Sequence, residues 1–108
     1  VTTTTDFVSR LVRAANEPHS LHPTEVKSLL DRSISVIADL RAEAGIVPIR
    51  GRDAIIYIKT VAAGVDRVPI DEWHHSLLHA AEMIRDLRVV LDTGTGINII
   101  AKSFDAGV

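Results

Sequence analysis

The residues best equipped for chemistry in this chain crowd into one segment: Glu72, His74, His75, His79, Glu82 and Asp86. Histidines at i and i+4 project from the same side of a helix, the geometry a metal ion needs from a single helix. At about 100° per residue, His75, His79, Glu82 and Asp86 fall within roughly 60° of one another. His75, His79 and Glu82 are therefore the candidate metal ligands, and zinc is the cation that imidazole and carboxylate together would suit. The same wheel puts this cluster nearly opposite the apolar seam of its own segment. Metal sites in helical bundles are instead built from ligands that project inward from several helices. No other segment offers a matching Glu-x-x-His set. A solvated polar face with no cofactor is the expected outcome. A metal sensor or metal-dependent enzyme is the alternative.

Arginine supplies the second candidate. Arg41 and Arg88 stand 47 residues apart at equivalent places in two similar segments, each flanking an apolar seam. Paired guanidinium groups could clamp an anion or carboxylate between those segments. The more ordinary role is to lay methylene stems over the core edge and meet an acidic neighbour. A third candidate is a lateral strip on the last helical segment, Leu78, Arg85 and Val89, of the kind that marks an oligomer contact; packing against the C-terminal tail would serve it equally well. Thr93-Gly-Thr-Gly follows a helix instead of preceding one, so it reads as a helix stop and not a phosphate loop. Arg67 and His74 have the residue types of a metal-free ribonuclease pair, a phosphate-binding cation and a general acid or base. Pro69 separates them, so they share no helix. No nucleophile, base and orienting group come together in the sequence, so the balance is against an enzyme.

Composition narrows the partners. The chain has 108 residues, a net charge of −2 and no cysteine. One domain is expected at this length, and disulfides and thiolate chemistry are excluded. Without a basic surplus, nucleic acid is not an expected partner. No apolar run approaches the roughly 20 residues of a membrane span. The first residues, Val1-Thr-Thr-Thr-Thr-Asp6, carry no signal-peptide pattern, so a cytoplasmic location is expected. Nine arginines to three lysines suit a GC-rich bacterial genome.

The elements that must position these residues come from a repeat. Shifted by 47, Asp6 falls on Asp53, Ala15 on Ala62, Glu25 on Glu72 and Leu30 on Leu77, and Ile37, Asp39, Leu40 and Arg41 fall on Ile84, Asp86, Leu87 and Arg88. Four helical segments follow. The first is expected from about Asp6 to Asn16, capped by Thr5 or Asp6. The second runs from Pro23 to the stop at Gly45. The third, Asp53 to about Ala63, is rich in strand-favouring residues, yet Ile55, Ile58, Ala62 and Val65 fit a helical face. The fourth runs from an N-cap at Asp71 to about Asp92. Val26, Leu30, Ser33, Ile37, Leu40 and Ala44 recur at spacings of 4,3,4,3,4, and Trp73, Leu77, Ala80, Ile84, Leu87 and Leu91 repeat them, the pattern of a bundle seam.

Neither copy can bury its apolar face alone. The expected architecture is therefore all-α: a four-helix array of two tandem αα-hairpins, about 5–45 and 52–92, related by a pseudo-two-fold, with a short irregular tail over 93–108. Two short apolar pieces, 46–49 and 97–100, are expected to cover the ends of the core; pairing as a short β-ribbon or forming a partner-binding edge are the alternatives. The expected function is a helical interaction or regulatory module that acts by protein–protein contact, as a homodimer or with another protein. An anion or small-molecule binder using Arg41 and Arg88 is the further alternative.

Overall fold

The computed structural model describes residues 2–46 and 53–93, and these form four α-helices with no strand among them. They are α1 (Thr2–Asn16), α2 (Pro23–Ala44), α3 (Ile55–Ala63) and α4 (Ile70–Thr93), with a 3₁₀ turn, Pro18–Ser20, between α1 and α2. The tail and the apolar piece 97–100 lie outside the described residues, as does most of the piece 46–49.

Local chemistry explains most boundaries. Pro23 opens α2, where its missing N–H has no helical acceptor to lose. The Glu25 carboxylate reaches back to accept the His22 N–H at 3.0 Å, one half of a capping box. At the other end Gly45 takes φ +71°, its N–H donates to the Ala42 carbonyl, and the Ile46 N–H donates to that of Arg41 at 2.9 Å. Those two bonds are the Schellman stop, which needs a residue at ease in the left-handed region. Asp53 caps α3 by accepting the Ile55 N–H at 3.1 Å. The strand-rich third segment is a helix, because Ile55, Ile58, Val61 and Ala62 all bury along one helical face.

Two boundaries depart from expectation. Asp6 starts nothing: α1 begins at Thr2 and Asp6 lies exposed within it. Threonines are poor helix formers, but α1 packs along the 24-residue α4, and the added turn brings Thr4 and Thr5 against the far end of that helix. Packing overrides propensity there. Asp71 is likewise inside α4, in the first turn with Glu72, where their charges face the positive end of the helix dipole.

Several element ends keep the 47-residue spacing. α1 and α3 end 47 residues apart, and α2 and α4 begin 47 residues apart. The equivalent pairs Leu11 and Ile58, Leu30 and Leu77, and Ile37 and Ile84 are all fully buried. Every expected seam residue is buried except Leu91, which is half-buried and packs against the core. α4 is the hub, with α1 and α2 packed along it, while α3 packs on α2 and α4. Each short helix thus lies on the long helix of the other half.

Polar atoms in this core are satisfied locally. The Ser33 and Ser76 hydroxyls, both fully buried, donate to the carbonyls of Leu29 and Trp73 in their own helices. The Trp73 indole N–H donates to the Val65 carbonyl at 2.9 Å, tying the turn before α4 to its first buried residue.

Candidate functional site

Two grooves flank α4 and hold the candidate residues other than Arg41. The first lies between α3 and α4, has a volume of about 510 Å³, and is lined by Ala54, Tyr57, His75, Leu78, His79 and Glu82. All three candidate metal ligands border it. His75 and Glu82 are exposed and His79 is half-buried, its ring meeting the edge of Tyr57 at 6.2 Å and 81°. Among the described residues, no three histidine or carboxylate side chains stand close enough to hold a metal ion. The shared helical face aligns His75, His79 and Glu82 in direction, but no second helix adds a ligand. What α3 adds opposite them is a phenol.

That phenol is engaged elsewhere. The Tyr57 hydroxyl donates to the Glu72 carboxylate in a very short hydrogen bond. Burial of the ring, reinforced by the Glu72 carboxylate beside it, pushes the Tyr57 hydroxyl up to about 12. Tyr57 is therefore neutral across the physiological range and acts as a donor. His74 departs from expectation more sharply. The repeat aligns it with Lys27 and so suggests another basic surface residue, yet it is half-buried against α1. Its Nδ1–H donates to the Ala15 carbonyl at 2.5 Å. Ala15 belongs to the last turn of α1, whose carbonyls lack helical partners, so His74 caps a neighbouring helix.

The second groove runs between α1 and the C-terminal half of α4. Its volume is about 230 Å³, and its walls are Thr4, Thr5, Val8 and Ser9 on one side and Arg85, Arg88, Val89 and Asp92 on the other. Arg88 pairs with Asp92 one turn away at 2.7 Å. The expected contact strip is split by this arrangement. Leu78 is half-buried, packs against the core and faces the α3 groove. Arg85 and Val89 stay on the outside, with side-chain exposure of 63% for Arg85 and residue exposure of 54% for Val89.

Arg41 and Arg88 each meet a carboxylate of their own. Arg41 is held end-on by Asp53, with Nη1 and Nη2 donating to the two carboxylate oxygens at 2.5 and 2.7 Å. The pair is largely enclosed, its side chains only 16% and 8% exposed. Hydrogen bonding from Arg41 holds the Asp53 carboxyl below its ordinary value of 3.8, against the opposing effect of burial, with help from the Ile55 N–H and the nearby charges of Arg41 and Lys59. Both arginines thus have carboxylate partners, Arg41 at the junction of α2 with α3 and Arg88 within α4, the ordinary structural role of an arginine at a core edge.

Ile56 was invisible to the periodicity. It lies on α3, the most uniformly apolar of the helices, and is 46% exposed. A run of Ile-Ile-Tyr-Ile cannot announce which isoleucine faces out; only the rotation of α3 about its axis decides that. Compared with known protein families, curated proteins and solved structures, the chain matches none. Among the described residues, no helix is long and apolar enough to cross a membrane.

Proposed function

We propose that the protein is a non-catalytic helical interaction module that acts by protein–protein contact, as a homodimer joined through the outer strip of α4. One observation carries this reading: Val89, the most exposed large apolar side chain among the described residues, sits between charges of both signs. Arg85 and Asp86 flank it on one side, 63% and 75% exposed, and the Arg88–Asp92 pair on the other. A two-fold contact must be self-complementary, since each residue of the patch meets the same patch on the second copy. An antiparallel copy of this strip would set valine on valine and place each Arg85 among carboxylates. Several of the residues that could act as acids, bases or ligands have other duties: Tyr57 and Glu72 pair together, His74 caps α1, and Arg41 and Asp53 join α2 to α3. His75, His79 and Glu82 border the α3 groove without forming a metal-binding group among the described residues.

Size-exclusion chromatography with light scattering across a concentration series tests the proposal. The expected result is a dimer at high micromolar concentration. Val89→Glu should give a monomer of unchanged helix content, because Val89 is not part of the core. A wild-type chain that stays monomeric throughout would remove the homodimer.

A further inference from the structure

We propose that the outer face of α3 is a second docking surface, built for an acidic amphipathic segment of another protein. Ile56, Lys59, Thr60 and Ala63 follow one another at helical spacing along this face. With Gly64, Arg67 and Val68 of the following turn they line an open groove of about 560 Å³. The groove combines an apolar floor with two cations. Ile56 and Val89 are the exposed large apolar residues of the described chain, and they lie in different grooves.

The repeat sharpens the point. The position equivalent to Ile56 is Ser9 on α1, also exposed. Hairpin one thus places a hydroxyl at this outward position, and hairpin two places an isoleucine. The buried pairs Leu11 and Ile58, and Ala15 and Ala62, match across the two copies, so the change at this outward position is not imposed by them. Lys59 and Arg67 take the places of Val12 and Ser20, while Thr60 and Gly64 take those of Arg13 and Glu17, so these positions carry two cations and no carboxylate in the second copy and one of each in the first.

Charge complementarity names the partner. Lys59 lies near enough to Asp53 to influence its carboxyl, yet among the described residues it makes no ion pair. Arg67 folds its guanidinium back toward Gly64, with a long 3.5 Å bond to the Ala63 carbonyl, and also has no ion pair there. Asp66 is exposed on the same turn and contacts neither cation as an ion pair. Two cations around an apolar floor suit a helix carrying leucine-like anchors flanked by carboxylates. They are too few for a polyanion, whose binding rests on many phosphate contacts.

The test uses the full chain and a synthetic amphipathic peptide with leucines at helical spacing and glutamates on both flanks, followed by amide chemical shifts. The expected result is saturable change centred on residues 56–68. Ile56→Ser, which installs the residue of hairpin one, should weaken binding by at least about ten-fold, and Lys59→Glu should do so independently. Both positions are exposed; Trp73 emission and helical circular dichroism report whether each variant keeps its fold. Several outcomes would overturn the proposal: no saturable change, equal binding of a peptide with lysines in place of glutamates, or shifts confined to the α4 strip. Tighter binding of anionic vesicles or duplex DNA than of the peptide, lost in Lys59→Glu, would do the same. So would loss of self-association in Ile56→Ser, which would make a second copy the occupant. The α4 dimer is read separately by light scattering, so either proposal can fail alone.

Discussion

Removing the charge of Asp53 tests the junction between α2 and α3 directly. Asp53→Asn keeps the shape and an oxygen for the Ile55 N–H, but it sets an amide against the Arg41 guanidinium. Exposed ion pairs contribute only about 0.2–1 kcal/mol, whereas breaking a fully buried one costs roughly 3–5 kcal/mol. With side chains 16% and 8% exposed and two short hydrogen bonds, this pair lies toward the buried end while keeping some solvent contact on the arginine side. We expect a loss of about 2–3 kcal/mol, with Arg41→Met and the double variant closing a cycle whose coupling is about 1.5–2.5 kcal/mol. Urea unfolding followed by the emission of Trp73, the single tryptophan, buried beside Val65, supplies the measurement. At the usual unfolding entropy per residue, that loss corresponds to a drop in Tm of roughly 10 °C. The pH dependence has a definite sign. The folded carboxyl titrates below its ordinary value of 3.8, so its contribution is complete above that value and is lost as pH falls through the lowered folded one. The gap between wild type and Asp53→Asn should therefore be full near neutrality and close in strong acid. A loss under about 0.5 kcal/mol, typical of a surface substitution, or a gap indifferent to pH, would refute the assignment of Arg41 and Asp53 as a structural pair.

Tyr57 is the only tyrosine, so phenolate absorbance reports it alone; its midpoint should lie near 12 in the folded chain, and Glu72→Gln should lower it. Because that value is raised above the ordinary 10.0, the associated stability is full below pH 10.0 and declines as pH rises toward 12. An unshifted midpoint would show that the hydroxyl is neither enclosed nor bonded to Glu72. Gly45→Ala should cost about 1–2 kcal/mol through backbone strain alone: at φ +71° a side chain is disfavoured, although an added Cβ would meet nothing within 4 Å. Thermal unfolding checks this, and an unchanged Tm would mean that α2 does not stop in the left-handed conformation.

Much of the fold is legible in the sequence because the relevant signals are local. Pro23 and Gly45 mark their helix ends through backbone chemistry that needs no neighbour. The 4,3,4,3,4 seams of α2 and α4 each state which side turns inward, and their repetition at 47 residues places both in one register. The candidate site is less legible. A helical wheel sets His75, His79 and Glu82 on one face of α4, but it cannot show that α3 brings Tyr57 against His79. Arg41 is recognisable as a residue in need of an acidic neighbour, without any sign that Asp53 is that neighbour. His74 misleads because its counterpart in the repeat, Lys27, is exposed, whereas α1 packs along α4 and brings the Ala15 carbonyl to His74.

The sequence by itself therefore determined four helices, their apolar seams, their stops and the repeat that relates them, all set by contacts within a few turns of chain. Only the tertiary structure decided which helix meets which. It set α1 along α4, so that His74 reaches the last turn of α1 and Thr4 begins a groove instead of a loop. It also turned Ile56 outward and Tyr57 toward Glu72. The physical reason is that a seam fixes one direction per helix, whereas polar pairs and grooves depend on the rotation and offset of two helices together. Those quantities come from close packing of the whole core, which no single segment encodes.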